Sequence, residues 1–384
     1  MDDRFTAVTI NTSVFLLMLG VGWMVPLLPL RVLELSGSLC QVGYLASSFA
    51  VSYLLFQLPL GALSDTIGMK ALLLAGYLTC GISGLLFAHA QTIELLFVAR
   101  FLQGIGEVPV WATGPALLAL LFPSATGRQA GIYSASLHGG LTAGTLSGMW
   151  LNMYCKPQTL FYMFSGSALV AALLVLLFAQ APVPRNQKIK RVVTWPLTLS
   201  LLKKRSFRRL YAGISFYGVG YGAFVTLIPA WLSRNGSDTS LFFALFYMGI
   251  GAAQLLGARL SDGERKNYGI AVGLTVAGMG LSLFPEFTAP WHLVPLTFAA
   301  LGLGIFCVCA FAELSDGVSE TMKGTASGAF FACWGVGYFT GPMLLGKLAD
   351  RDLFHLGFSG FGVLCILLGV WGLLPAHKTA EQKI

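Results

Sequence analysis

Gln57-Leu-Pro-Leu-Gly61-Ala-Leu-Ser-Asp65 is answered 197 residues later by Gln254-Leu-Leu-Gly257-Ala-Arg-Leu-Ser-Asp262. The same offset carries Gly127 onto Gly324, Gly131 onto Gly328, Gly140 onto Gly337 and Gly144 onto Gly341. One shift that aligns two separate segments means that this 384-residue chain is two copies of one unit.

Composition places both copies in a membrane. Hydrophobic residues make up 56% of the chain and charged residues 10%, with a mean hydropathy of +0.75. A soluble domain carries about a quarter charged residues, so this chain lacks the polar surface to stay dissolved. Its 46 glycines suit helices that approach closely in lipid. The seven cysteines are scattered, most of them in apolar stretches, which argues against a disulfide framework. Cys307-Val-Cys309 has the wrong spacing for a zinc knuckle, and no metal site or cofactor is expected. Met1-Asp-Asp-Arg4 runs into an apolar segment without a basic start or a small-residue cleavage site, so the first helix reads as retained.

Crossing ~30 Å of hydrocarbon takes about 20 apolar residues. Twelve such runs are predicted, at 7–30, 42–63, 71–90, 94–121, 129–152, 159–181, 210–232, 240–260, 268–286, 291–312, 325–346 and 356–375. The longest polar break separates the sixth from the seventh. Between Ala181 and Arg209 it holds nine basic residues and no acid. The expected organisation is a six-helix bundle over 1–181, a basic linker over 182–209 and a second six-helix bundle over 210–384. Alternate loops divide Lys and Arg eighteen to five, the larger share lying with the termini and the linker. By the positive-inside rule both termini are expected in the cytoplasm of a cell-membrane protein. A basic linker beside anionic headgroups accounts for the net charge of +8 without nucleic acid.

Two local motifs carry a resemblance to the major facilitator superfamily. Between helices two and three stands Gly61-Ala-Leu-Ser-Asp65-Thr-Ile-Gly68-Met-Lys70. Helix four holds Arg100-Phe-Leu-Gln103-Gly104-Ile-Gly106. With the twofold repeat, these make the whole chain similar to that superfamily, and most like its drug/proton-antiporter branch. The resemblance implies an all-α membrane fold of two six-helix bundles around a cavity that opens alternately to each side. It also implies that Asp65 latches the cytoplasmic side, with Gly61, Gly68, Lys70, Arg128 and the repeat counterpart Asp262 as gating residues. The family places Arg directly after the acid, and this chain has Thr66 there. Lys70 and Arg128 are therefore the candidate basic partners. The antiporter branch also carries a Gly-Pro pair in helix five. Here Gly140-x-x-x-Gly144-x-x-x-Gly148 has no proline, and Gly337-x-x-x-Gly341-Pro342 in helix eleven does. Those glycines read as packing and hinge positions.

Helix four carries the most informative chemistry. Arg100 and Glu107 lie inside an apolar span, where an isolated charge costs roughly 2.5–3.5 kcal/mol on insertion scales. Arg100, Gln103 and Glu107 recur at i, i+3 and i+7 and share one face. A face this polar needs a cavity or partners. Burial and a neighbouring guanidinium pull the proton affinity of Glu107 in opposite directions. The pattern reads as a proton-coupling pair, Glu107 with Arg100, or else as a static network holding helix four to helix one or two. Substrate-lining candidates are Gln103, Tyr53, Gln57, His138, Tyr217, Tyr221, Gln254, Trp334 and Tyr338. Aromatic rings with a few polar tips suit an amphipathic ligand.

No Gly-x-Ser-x-Gly or His-Glu-x-x-His occurs, and Gly341-Pro-Met-Leu-Leu-Gly346-Lys347 is followed by Leu348 where a phosphate-binding loop has Ser or Thr, which argues against an enzyme or a nucleotide-driven pump. The expected function is secondary active transport of a small amphipathic neutral or anionic compound by a monomer, as proton-coupled export. The alternatives are an importer of a small metabolite, proton-coupled or facilitative, and a non-transporting receptor of the same fold.

Overall fold

In the computed structural model, residues 3–122, 125–180, 195–204, 207–237, 239–261, 265–318 and 322–373 are described, and no strand occurs among them. The first rod is broken into α1 (Asp3–Met24) and α2 (Leu27–Ser36). Pro26 sits at the break, where its missing N–H removes a helical hydrogen bond. Then follow α3 (Leu39–Ile67), α4 (Met69–His89), α5 (Ile93–Leu121), α6 (Thr126–Leu151) and α7 (Pro157–Phe178). A short α8 (Trp195–Leu202) precedes a second broken rod, α9 (Arg208–Val225) with α10 (Leu227–Arg234). At that break Thr226 donates its hydroxyl to the Gly222 carbonyl at 2.7 Å, a back-bond that bends helices. The chain ends with α11 (Thr239–Leu260), α12 (Arg265–Leu283), α13 (Leu293–Asp316), α14 (Lys323–Ala349) and α15 (Phe354–Leu373).

With each broken pair counted once and α8 set aside, the described residues form twelve rods. Eleven are long and apolar enough to cross a membrane. The twelfth is α6, expected from the sequence as the run 129–152. At 26 residues it is long enough, but glycine, serine and threonine replace much of its aliphatic content. Those small residues are spent on contact with α1. A methyl group added at Gly140 would strike the Phe15 carbonyl, and one at Gly144 the Leu19 carbonyl. From the other side, one at Gly22 would meet Leu141 O at 2.6 Å and Thr145 N at 2.7 Å. The two helices therefore touch backbone to backbone, as small residues permit.

The chain forms two compact units, one of residues 1–36 with 48–192, the other of 37–47 with 193–384. In the first, α1 packs on α6 and α7, and α4 packs on α5 and α7. In the second, α9 packs on α14, α11 on α13, and α12 on α13 and α15. Three pairings recur at corresponding places in the repeat: α1 with α6 and α9 with α14, α4 with α5 and α12 with α13, α4 with α7 and α12 with α15. The α9–α14 seam repeats the glycine device. A methyl group at Gly337 would strike the Ser215 carbonyl, and one at Gly218 the Trp334 carbonyl.

Helix α3 passes from one unit into the other. Its first turns, in the second unit, are capped by Asp350, which follows the end of α14. The Asp350 carboxylate accepts from Leu39 N at 2.8 Å, Cys40 N at 3.1 Å and the Ser38 hydroxyl at 2.5 Å. Backbone donors at a helix start have no partner within the helix, so one side chain from over 300 residues away satisfies them. Further along, the Ser47 hydroxyl donates to Phe339 O at 2.6 Å, and Gly43 lies against the Pro342 carbonyl.

Candidate functional site

Helix α5 starts cleanly because the Thr92 hydroxyl accepts from Leu95 N at 3.4 Å, with Glu94 in the first turn. The two glycines of its motif clamp it from opposite sides. Gly104 lies against Phe49 O and the Ser52 side chain of α3, and Gly106 against Gly76 O and Cys80 of α4. With no room for a Cβ at either place, α5 is brought close to both neighbours, and its register is set.

That register buries the polar stripe. Arg100, Gln103 and Glu107 are all buried, Gln103 completely. The Arg100 guanidinium donates to Gln103 Oε1 at 2.7 Å, and Gln103 Nε2 donates to Glu107 Oε1 at 2.8 Å. The other carboxylate oxygen, Oε2, accepts from Trp111 Nε1 at 3.2 Å. Arg100 and Trp111 can only donate, so the Gln103 amide must turn its oxygen to the arginine and its nitrogen to the acid. Arg100 also stands over the Phe49 ring at 4.6 Å. Tyr53, stacked on Phe49 at 6.1 Å between centroids, lies within electrostatic range of Glu107, as does Cys80. The hydrogen bonds of Glu107 thus run along its own helix. Trp111, the fourth member, is absent from the candidates drawn from sequence. Its position four residues after Glu107 is the signal that could have found it.

The other candidates fall in several places. Tyr217, Tyr221, Trp334 and Tyr338 come together in the second unit on α9 and α14. Their ring centroids are 6.0 Å apart for Tyr217 and Tyr221, 6.2 Å for Tyr221 and Trp334, and 4.9 Å for Trp334 and Tyr338. Phe306 and Phe246 extend the cluster. Gln57, one turn beyond Tyr53, and Gln254 on α11 are half-buried. His138 hydrogen-bonds through Nδ1 to Ser134 O at 2.9 Å, inside its own helix.

Of the gating candidates, Gly68 has φ +89°, a left-handed conformation that admits glycine at the turn into α4. Lys70 donates to the Leu176 carbonyl near the end of α7 at 2.9 Å, and Arg128 is exposed. The surroundings of Gly61 and the Asp65 side chain, and Asp262 altogether, lie outside what is described. One ion cluster has no counterpart among the sequence candidates. Lys266 bridges Glu313 at 3.2 Å and Asp316 at 2.8 Å, tying the start of α12 to the end of α13. Among the described residues, no three His, Cys, Asp or Glu side chains are grouped as a metal site would need.

Similarity to known proteins extends along the whole sequence. A model described as Major Facilitator Superfamily matches residues 10–342 and 232–383. The chain belongs to the major facilitator superfamily. It is a multi-pass membrane transporter of small molecules and not an enzyme. It is 24% identical over 387 residues to the uncharacterised MFS-type transporter MJ1560 of Methanocaldococcus jannaschii, covering 95% of this chain and 97% of that one. With the quinolone resistance protein NorA of Staphylococcus aureus it shares 23% over 383 residues, 93% of this chain and 94% of that one. Its fold matches the crystal structure of the nucleoside transporter NupG with a TM-score of 0.79 at 13% identity, over 96% of this chain and 98% of the other.

Proposed function

We propose that this transporter exports a small amphipathic organic compound, neutral or singly anionic, in exchange for protons, with its termini and linker on the cytoplasmic side. The observation that carries the reading is the buried Arg100–Gln103–Glu107 chain. A carboxylate kept in an apolar helix is costly to bury, and one that trades its proton with alternating access repays that cost. Glu107 is the proton site, Arg100 the charge that moderates it, and Asp65 the cytoplasmic gate. Export is supported by the similarity to a quinolone resistance protein over nearly the whole chain.

Substrate class follows from what each unit offers. In the first unit, Glu107 is already engaged by Gln103 and Trp111, which disfavours a multiply charged cation. Half-buried Gln57 provides a polar tip there, beside buried Tyr53 and Gln103. In the second, Tyr217, Tyr221, Trp334 and Tyr338 provide ring faces with hydroxyl and indole edges. A flat, largely apolar molecule with one polar end suits either surface taken by itself.

The test is proton release on addition of candidate compounds to the reconstituted protein in weak buffer. Release from the wild type and none from Glu107→Gln, with ligand binding preserved, is the expected result. Unchanged release in that variant would remove Glu107 from coupling.

A further inference from the structure

We infer that Trp111 is the positioning residue that turns protonation of Glu107 into movement: a proton on the carboxyl expels the Trp111 indole from Oε2. The inference rests on the reading above that Glu107 gains and loses the coupling proton.

The argument is one of donors and acceptors. As the structure stands, both oxygens of Glu107 accept, Oε1 from Gln103 and Oε2 from Trp111. A carboxylic acid must donate through one of them. A proton on Oε1 would meet the Gln103 amide nitrogen, itself a donor. Reversing that amide would turn its nitrogen toward the Arg100 guanidinium, which has nothing to accept with. Gln103 is fully buried and cannot swing aside. A proton on Oε2 turns the charge-assisted bond from the indole N–H into a weaker one to a neutral hydroxyl oxygen, and no rotation gives an indole nitrogen an acceptor for the new O–H. The second route is the easier to open. The Trp111 bond is the longer, at 3.2 Å against 2.8 Å, and the Trp111 side chain is half-buried. The proton therefore goes to Oε2 and the indole leaves. A large aromatic side chain then moves beside the polar stripe in the protonated state and returns when the proton departs.

The surroundings leave this exchange to Trp111. Arg100 is the charged neighbour on α5 itself. On the packed helices, Tyr53 of α3 and Cys80 of α4 lie within electrostatic range of Glu107 and are uncharged at neutral pH by their ordinary values; α3 also carries Cys40, Tyr44 and Asp65, α4 Lys70, Tyr77 and His89, and α6 Arg128, Tyr133 and His138. Tyr77 is engaged with the Ser13 hydroxyl at 2.9 Å, and Tyr133 donates to Val110 O at 2.6 Å. On α2, Arg31 and Glu34 pair with each other at 3.1 Å at an exposed place. On α1, Asp3 and Arg4 lie in the first turn.

The experiment is a pH titration of tryptophan emission for wild type, W111F and E107Q in lipid nanodiscs, run beside the proton-release assay. The wild type should show an emission step at the pH midpoint of transport, absent from both variants. W111F removes a donor from the charged carboxylate, which favours the protonated form and moves the midpoint of transport about one pH unit higher. If W111F does not fold, W111Y takes its place and should lose the same step. A wild type without the step, or a step that survives in W111F or E107Q, overturns the role of Trp111 even where E107Q still loses proton release. Proton release that survives in E107Q instead overturns the reading of Glu107 beneath it, and the inference with it.

Discussion

Substituting Gly337 with alanine tests the backbone seam between α9 and α14. The added methyl would strike the Ser215 carbonyl oxygen, with Ser215 C at 2.7 Å and Val219 N at 3.0 Å. Carbon contacts settle near 3.5–4.0 Å, so the helices must part by about 1 Å. The obstacles are backbone atoms and cannot rotate away. One turn on, Gly341 already lies against the Val219 side chain, so the strain spreads along the seam. Overpacking of this kind costs about 1–3 kcal/mol, against which alanine returns up to about 1 kcal/mol of helix propensity. Gly360→Ala is the control. Gly360 is exposed in α15 with nothing within 4 Å of the added methyl, so only the propensity gain applies. The propensity gain is common to both, so the two variants should differ by about 1–3 kcal/mol, which at about 2–4 °C per kcal/mol separates their Tm values by roughly 2–12 °C. Thermal unfolding of the purified protein in detergent reads this directly. A G337A protein that melts at or above the wild type would refute the claim that backbone contact holds this pair.

Three further outcomes are expected. Asp350→Ala removes the shared acceptor at the start of α3 and should cost about 1–2 kcal/mol, with faster hydrogen exchange at Leu39 and Cys40 by mass spectrometry; unaltered exchange there would show that water replaces the cap without loss. Arg100→Lys keeps the charge but loses the planar fork that serves Gln103 while covering Phe49, and transport should fall about 10- to 100-fold in proteoliposome flux, a loss of roughly 1.4–2.8 kcal/mol. Gly68→Ala puts a side chain at φ +89° and should destabilise by about 1–2 kcal/mol, read as a lower Tm.

Much of the fold was legible because a membrane forces a coarse pattern on sequence. Apolar runs of fixed length give the rods, and the 197-residue offset gives the repeat. The polar stripe of α5 was legible for the same reason, since Arg100 and Glu107 stand out against an apolar background. Their partners were harder to read. A buried charge suggests partners on other helices, yet Glu107 accepts from Gln103 and Trp111 on its own helix. An indole in an apolar helix looks like packing until its N–H is seen to face a carboxylate. The break of α9 from α10 does carry a sequence signal, Pro229, which lacks the N–H that would reach the Val225 carbonyl, beside the hydroxyl back-bond of Thr226. Asp350 was beyond reach because its partners lie more than 300 residues away, and nothing local marks it as a cap.

The membership of residues 37–47 in the second unit bears on any attempt to make the halves separately. A polypeptide begun at Val193 would carry Asp350 without the three donors it serves. It would also leave Phe339 O without the Ser47 hydroxyl and Pro342 without Gly43 against it. Co-expression with the segment through Val192 restores these groups, because the missing turns travel with the other fragment. In complementation, the first fragment acts as a donor of a helical plug as well as a partner, and a cut in the linker divides the covalent chain without dividing the second unit from its own parts.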